Sequence, residues 1–250
     1  MRPFDPLIAA IADHFESQFR ESLGPIRKVG REAEVPVVWP DGRAGDVNLL
    51  WEPLLADGSL TPHYDDPQSR SLIFKAQGDD EIYAIDVGRC TVELSLGPYD
   101  DLWQLQAGFE RAIGRVNRAA QASGMLLLGF GIQPRTPPSD SLLTPRRHYR
   151  ALREAAGRPW LRLTTTASDQ LHVDIQRSEI TQAVNGMNLL SGPLIALCAN
   201  SSVYAGRSGR YLAGRERLLA ELGEERYGMP PRRFRTPLEW IEYLCEFRCF

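Results

Sequence analysis

Residues 29–38 read VGREAEVPVV, and their alternating pattern is the clearest structural signal in the chain. In this stretch Val35 and Val37 alternate with Glu32 and Glu34. Period-two alternation that includes β-branched residues predicts a strand. Because residues two apart on a strand point to the same face, we expect Glu32 and Glu34 to lie side by side while the valines face a core.

The paired glutamates of this strand are candidate metal ligands. Two carboxylates on one rigid strand can share or bridge a hard divalent cation such as Mg²⁺, which prefers oxygen ligands. A second stretch, TVELS at residues 91–95, places Glu93 on the face opposite Val92 and Leu94, where it could be a third carboxylate of the same cluster. Each pattern is also that of a solvated strand face, and this alternative stays open.

The stretch QLHVD at residues 170–174 alternates in the same way and presents Gln170, His172 and Asp174 on one face. From this position His172 could bind a metal or a substrate carboxylate. A hydrogen-bonded structural histidine is the alternative that the pattern leaves open.

A glycine-rich loop carries three arginines. Residues 200–215 follow the predicted end of a helix and contain Arg207, Arg210 and Arg215. Arginine offers planar, bidentate donors that suit phosphates and carboxylates. The loop lacks the Gly-Lys-Ser/Thr of a Walker P-loop, so it does not belong to that class of nucleotide-binding loop. A plain exposed loop is the alternative.

The remaining patterns predict strands and helices in an order without strict βαβ alternation, which favours an α+β fold. Three short apolar runs within residues 71–98 predict a β-meander, and further strands are expected at residues 125–134, 161–168 and 170–176. Helices are expected from Asp5-Pro6 to before Gly24, from Asp100 or Asp101 to Gly124, from Thr144 to near Gly157, from Ser178 onward with a kink at Pro193, and from Thr236 onward.

Composition and charge exclude several classes of protein. The 250 residues carry 29 Lys and Arg against 32 Asp and Glu, a net charge of −3, and 43% of them are hydrophobic. This is the profile of an ordinary globular protein rather than a collagen-like, low-complexity or wholly disordered chain. The near-neutral charge gives no general attraction to nucleic acid or to an anionic membrane, so neither is expected as a partner.

The sequence also predicts a cellular compartment. No apolar run approaches the roughly 20 residues that span a bilayer, and the first residues predict an amphipathic helix rather than a signal peptide. The cysteines Cys90, Cys198, Cys245 and Cys249 fit free thiols in a reducing compartment, with a structural zinc site at the last two as the alternative. We therefore expect a cytoplasmic protein.

Four stretches, taken together and in order, resemble the carboxylate–amine ligase family that includes the plant- and proteobacterial-type glutamate–cysteine ligases. They are VGREAEVPVV, IDVGRCTVELSLGP, TTTASDQLHVDIQ and PLIALCANSSVYAGRSGRYLAGR, and they extend from Val29 to Arg215. The chain departs from the family pattern where Asp86-Val87 replaces Glu-Pro, where Arg89-Cys90 replaces Gly-Gln, and where Ser202 and Ala213 replace Pro and Ser. These departures leave the identity of the amine substrate open.

The resemblance implies a fold and a reaction. It implies one catalytic domain over residues 1–250, related to glutamine synthetase, with a curved and mainly antiparallel sheet flanked by helices. It also implies that the substrates are ATP, glutamate and cysteine or another amine. The γ-carboxylate of glutamate attacks the γ-phosphate of ATP, and the amine of cysteine then displaces phosphate, which would be the first step of glutathione synthesis.

The resemblance also implies roles for individual residues, with ATP and Mg²⁺ as cofactors. The candidate metal ligands are Glu32, Glu34 and Glu93. The candidate catalytic groups are His172 and Arg215. The candidates for binding the nucleotide are Gln170, Arg207 and Arg210.

The family usually continues beyond the position of Phe250, so we expect the catalytic domain to be C-terminally short. A missing part of the sheet would leave strand edges exposed, which favours a homo-oligomer. Two alternatives to glutamate–cysteine ligation stay open. One is a ligase for another carboxylate and amine, and the other is a catalytically incomplete fragment that only binds nucleotide, metal or a partner.

Overall fold

The structure is a computed structural model, and it describes residues 5–221, 223 and 227–246. The strands are β1 Val29–Val38, β2 Thr61–Tyr64, β3 Ile73–Gln77, β4 Glu81–Ile85, β5 Thr91–Tyr99, β6 Leu126–Leu127, β7 Asp169–Val173, β8 Val203–Tyr204 and β9 Arg207–Ser208. The α-helices are α1 Asp5–Ser17, α2 Trp51–Leu55, α3 Leu102–Ala122, α4 Arg147–Ala156, α5 Ile180–Cys198, α6 Gly214–Ala220 and α7 Pro237–Glu246. Short 3₁₀ helices lie at Val47–Leu50, Asp140–Leu142, Arg158–Thr164 and Arg177–Glu179.

The main sheet is antiparallel, with the strand order β2-β3-β4-β5-β1-β6. Strand β7 also pairs with β1, so β6 and β7 share the edge of β1 that β5 does not occupy. Residues 29–33 of β1 pair with β7, whereas Val37 and Val38 pair with β6. Strands β8 and β9 form a separate hairpin. The predicted mixture of helices with a mainly antiparallel sheet is confirmed.

The core lies on one face of this sheet. On β1 and β5, Val35, Val37, Val92 and Leu94 are buried and pack against helix α3. Helix α3 begins where the sequence predicts, because the Asp101 carboxylate accepts a hydrogen bond from the Gln104 amide N–H at 2.8 Å. One face of β1 and β5 is therefore covered, and the glutamates of both strands lie on the other.

The prediction of a strand at residues 161–168 is wrong. The 3₁₀ helix Arg158–Thr164 extends through the first half of this stretch. Pro159 lies in the first turn of that helix, where its missing N–H is not needed. The hydroxyls of Thr164 and Thr165 donate to carbonyls three residues earlier, at 2.6 and 3.1 Å. Such local bonds give the backbone an alternative to a strand ladder, which outweighs the β-propensity of the threonines.

The strand predicted at residues 125–134 is much shorter, since only Leu126–Leu127 pair. The edge of β1 that a longer strand would need is already used, because the Glu34 amide donates to the Ser168 carbonyl at 2.8 Å. Met125 is buried as predicted, but Leu126 is 45% exposed.

Helix α5 differs from its prediction at its start and in its surroundings. Ser178 is not its cap, because a 3₁₀ helix at Arg177–Glu179 precedes α5 and Glu179 is the N-cap of α5. Gln176 caps that 3₁₀ helix, and its backbone N–H donates to the Glu179 carboxylate at 3.0 Å. The helix continues through Pro193, and Ile180 is its buried residue. The helix carries an apolar stripe at Met187, Leu190, Leu194 and Leu197. Leu197 is 82% exposed, so this stripe has little cover from the part of the chain that the structure describes.

Across residues 5–221, 223 and 227–246, none of the helices has both the length and the apolarity that a bilayer crossing demands. Cys90 is a buried free thiol, and Cys198 and Cys245 are exposed free thiols. Cys249 lies outside the described residues, so the structure does not test the zinc pair.

Candidate active site

The face of the sheet opposite the core carries the predicted carboxylates. Glu34 on β1 lies directly opposite Glu93 on β5, and Glu32 lies opposite Ser95 on β5 and Gln170 on β7. Residues directly opposite in an antiparallel pair project to the same face. The structure therefore brings Glu32, Glu34, Glu93 and Gln170 together on one surface.

Three carboxylates form a compact cluster on this face. Glu34, Asp86 and Glu93 each offer an oxygen atom, and these atoms lie within 4.8 Å of one another. All three residues are half-buried. Asp86 immediately follows β4, and its amide donates to the Thr91 carbonyl at 3.2 Å. The cluster thus joins side chains from the ends or interiors of three neighbouring strands.

Asp86 was not among the predicted ligands, although the sequence carries a signal for it. In the stretch EIYAID, Tyr83 and Ile85 are buried in the core. Ala84 pairs directly with Glu93 on the other face, and continuing the same alternation past the strand end places Asp86 on the side of Glu93. The prediction followed this alternation on β1 and β5 but did not extend it along β4.

The loop after Asp86 is held by a close backbone approach at Gly88. A Cβ atom at this position would lie 2.0 Å from the carbonyl oxygen of Thr164. Only glycine fits such a contact without a backbone shift. The 3₁₀ helix that replaced the predicted strand therefore packs directly against the loop that positions Asp86.

Burial makes the three carboxyl groups hold protons more tightly than usual. Burial raises the pKa of Glu93 to about 7, with the neighbouring Glu32 as a further cause. Burial and the charges of Glu34 and Glu93 raise the pKa of Asp86 well above its ordinary value. The pKa of Glu34 is raised by burial, against the opposing hydrogen bond from the Ser168 amide at 2.7 Å. These are the expected effects of desolvation and of like charges brought together.

This donor set fits a hard divalent cation. Clustered carboxylates, without thiolates, suit Mg²⁺, Mn²⁺ or Ca²⁺ rather than a soft transition metal. A bound cation would replace the protons that the cluster otherwise holds and would remove the repulsion between its carboxylates. Glu34, Asp86 and Glu93 are therefore the residues that could hold a cation.

Glu32 belongs to a second polar group beside this cluster. Its carboxylate lies 3.5 Å from Nε2 of His172, and Gln170 lies directly opposite it on β7. Gly30 lies opposite His172, so no side chain from β1 covers the imidazole from that position. Glu32 also influences the pKa of Glu93. The two groups are thus adjacent, with Glu32 between the cluster and His172.

Arg215, at the start of α6, is close enough to the cluster to act on it electrostatically. Its positive charge counteracts the raised pKa of Glu34. Its Nη1 donates to the Glu216 carboxylate at 2.5 Å, while its buried Nε atom has no hydrogen-bond partner within the described part of the chain. A buried guanidinium donor without a partner is available to an anionic ligand.

The other two predicted arginines occupy a different environment. Arg207 lies on the β8–β9 hairpin and Arg210 follows it, and both are exposed. Among the residues that the structure describes, neither forms an ion pair with a carboxylate. Their role in binding the nucleotide stays a prediction.

An open groove of about 750 Å³ lies next to Glu32 and His172, and its size suits a small-molecule substrate. Its walls include Glu32, Ser95 and His172 from the polar face, and Asp79 and Asp80 from the turn between β3 and β4. The groove therefore reaches Glu32 and His172 of the predicted site, whereas Glu34, Asp86 and Glu93 are not among the residues that line it.

Comparison with known proteins gives two matches. Residues 29–244 match the model of glutamate-cysteine ligase family 2. A protein of Rubrobacter xylanophilus named "Putative glutamate–cysteine ligase 2-3" is 30% identical over 179 residues, which cover 67% of this chain and 48% of the relative. The chain therefore spans about half the length of that relative.

Proposed function

This chain belongs to glutamate-cysteine ligase family 2, and on that premise we propose that it takes part in the ATP-dependent ligation of glutamate to cysteine. The cluster of Glu34, Asp86 and Glu93 is the observation that carries the proposal. Phosphoryl transfer requires divalent cations to neutralise the charge that develops on the phosphates. A half-buried cluster of three carboxylates supplies the ligands for such a cation.

The proposed reaction has two steps. An oxygen of the glutamate γ-carboxylate attacks the γ-phosphorus of ATP, the bond to the bridging oxygen breaks, and ADP leaves with γ-glutamyl phosphate as the product. The amine nitrogen of cysteine then attacks the acyl carbon, phosphate leaves, and the nitrogen loses a proton. The overall products are the dipeptide, ADP and phosphate.

The side chains around the cluster support these steps through binding and orientation. The buried Nε of Arg215 is a free donor for a phosphate or carboxylate of a substrate. Glu32 and His172, whose carboxylate oxygen and Nε2 are 3.5 Å apart, both line the groove and can contact a substrate there. Gln170, opposite Glu32, can donate to a substrate oxygen from its amide.

We also propose a fold related to glutamine synthetase and a cytoplasmic location. An antiparallel sheet with its core on one face and carboxylates on the other is compatible with a fold related to glutamine synthetase. We place the reaction in the cytoplasm, where the nucleotide substrate would be available, with Mg²⁺ as the cation.

One other function has a specific observation in its favour. Leu189 and Leu197 of α5 are 79% and 82% exposed, and this surface fits a chain that binds nucleotide and cation but needs further polypeptide for turnover. The departures of this chain from the family pattern also keep another amine open as the acceptor.

A single assay separates these functions. The chain is incubated with Mg²⁺-ATP, glutamate and a panel of amines that includes cysteine, and ADP release and product mass are followed together. γ-Glutamylcysteine with an equal amount of ADP is expected. A different amide product would assign another acceptor, and no product from a folded chain that binds nucleotide would contradict ligation by this chain alone.

A further inference from the structure

A cross-strand row extends from the carboxylate cluster to the far edge of the sheet. Glu34 lies opposite Glu93, Glu93 lies opposite Ala84, Ala84 lies opposite Lys75 on β3, and Lys75 lies opposite His63 on β2. Directly opposed residues of an antiparallel sheet share a face. One row on the polar face is therefore acidic at one end and carries a lysine and a histidine at the other.

The charge of Lys75 is not neutralised by a neighbouring carboxylate. Its Nζ donates to Oε1 of Gln77 at 3.3 Å, and within residues 5–221, 223 and 227–246 it forms no ion pair. The only other lysine of the chain, Lys28, is paired with Asp100. Lys75 is half-buried as a residue, and its hydrogen bond to Gln77 lies at the exposed surface, so its ammonium group is accessible to a ligand.

The residue between the two ends of this row is small. Ala84 separates Lys75 from Glu93, and its side chain is a single methyl group. Neighbouring strands are about 4.8 Å apart, so the backbones of Lys75 and Glu93 are about 10 Å apart. A ligand that lies across Ala84 would meet cation-binding carboxylates at one end and an ammonium group at the other.

A polyphosphate chain matches this arrangement. One end of such a ligand binds through a cation, and the rest is a short, extended polyanion that a lysine can bind as a point charge. We propose that Lys75, with His63 beside it, binds the phosphates of the nucleotide that are not held at the Glu34–Asp86–Glu93 cluster. This assignment rests on the proposed function, because it takes the nucleotide as a ligand of the same face.

Direct binding of Mg²⁺-ADP to the full chain tests the assignment without relying on turnover. Isothermal titration compares the wild type with Lys75→Met, and Arg118→Met is the matched control. Arg118 is an exposed cation on α3, the helix that packs on the opposite face of the sheet. We expect Lys75→Met to weaken binding by roughly tenfold, as for loss of a charge-assisted contact, and Arg118→Met to change it by less than about twofold.

A charge-retaining variant and a comparison of ATP with glutamate test whether the effect is specific to the charge of Lys75 and to the nucleotide. Lys75→Arg retains the charge and should bind Mg²⁺-ADP within about threefold of the wild type, and thermal unfolding verifies that each variant is folded. If the chain turns over, the KM for ATP should rise in Lys75→Met while the KM for glutamate stays unchanged.

The outcomes separate the two proposals. Wild-type affinity for Mg²⁺-ADP in a folded Lys75→Met variant would overturn the role of Lys75 and leave the proposed function intact. An equal loss in the Arg118→Met control would also overturn it, because the effect would then be one of net charge. A wild-type chain that binds no Mg²⁺-ADP would contradict the proposed function as well.

Discussion

Glu34 and Glu93 face each other directly across β1 and β5, on the side of the sheet that the core does not use. Two carboxylates placed in this way repel each other unless a proton or a cation lies between them. Asp86 adds a third oxygen within 4.8 Å. Experiments that change the protonation of this pair or the cation bound to it therefore test the account directly.

The first prediction concerns pH and stability. The pKa of Glu93 is about 7 in the folded chain against an ordinary 4.5, so the folded state binds more protons than the unfolded state between these values. The free energy of unfolding contributed by this group therefore falls as pH rises from about 4.5 to 7. We expect the metal-free protein to be less stable at pH 8 than at pH 5 by roughly 1–3 kcal/mol from this source.

Chemical denaturation across this pH range, with and without saturating Mg²⁺, measures the effect. Mg²⁺ should stabilise the protein more at pH 8 than at pH 5, because protons no longer compete for the cluster. The Glu93→Gln variant isolates the contribution and should show a smaller decline. If the free energy of unfolding had the same pH dependence in Glu93→Gln and in the wild type, Glu93 would not be the source of the decline.

The second prediction concerns Glu32, which lies between the cluster and His172. Glu32→Gln replaces the side chain with a near-isostere, so folding should be retained. The Mg²⁺-ATP-dependent activity should be effectively lost, with a decrease in rate of about 10²-fold or more. Glu110→Gln, on the exposed surface of α3, is the matched control and should keep its activity. If the Glu32→Gln variant turned over at the rate of the wild type, Glu32 would not be part of the site.

The third prediction concerns the close contact at Gly88. Gly88→Ala would place a Cβ atom 2.0 Å from the Thr164 carbonyl, so it should lower the free energy of unfolding by about 2 kcal/mol or more. Gly186→Ala in α5 meets no atom within 4 Å and should be neutral or stabilising by up to about 1 kcal/mol. Urea denaturation compares the two variants, and equal stabilities would contradict the packing described here.

The fourth prediction concerns self-association. Strand β7 pairs only with β1 among the described strands, and its Leu171 and Val173 are 59% and 50% exposed. An open strand edge with apolar side chains favours association. Sedimentation velocity should therefore show a homo-oligomer whose population rises with concentration. A single monomeric species over the whole concentration range would contradict this expectation.

The sequence predicted most of the sheet and the shared face of Glu32, Glu34 and Glu93 for a simple physical reason. On β1 and β5 the two-residue period separates apolar from acidic side chains, so the placement of Glu32, Glu34 and Glu93 on one face follows from the pattern alone. Asp86 was missed although the predicted meander already placed β4 beside β5. It lies just past the end of β4, where the alternation of the strand was not followed.

Local and long-range effects explain the remaining differences. At residues 161–168 the threonine hydroxyls bond back to the preceding turn, which a scale of strand propensity does not include. In α5 the apolar stripe correctly predicts a helix, but a stripe does not specify what covers it. Leu189 and Leu197 are consequently exposed in the described part of the chain.

Binding of Mn²⁺ to the wild type and to Asp86→Asn is the most direct measurement of the central claim, that Glu34, Asp86 and Glu93 hold a divalent cation. Mn²⁺ serves as a spectroscopic probe for Mg²⁺, and its free and bound forms are distinguished by electron paramagnetic resonance. Asp140→Asn is the matched control, because Asp140 forms an exposed ion pair with Arg153. We predict that Asp86→Asn weakens Mn²⁺ binding by about tenfold or more and that Asp140→Asn leaves it unchanged. Equal Mn²⁺ affinity in the wild type and in a folded Asp86→Asn variant would contradict the account.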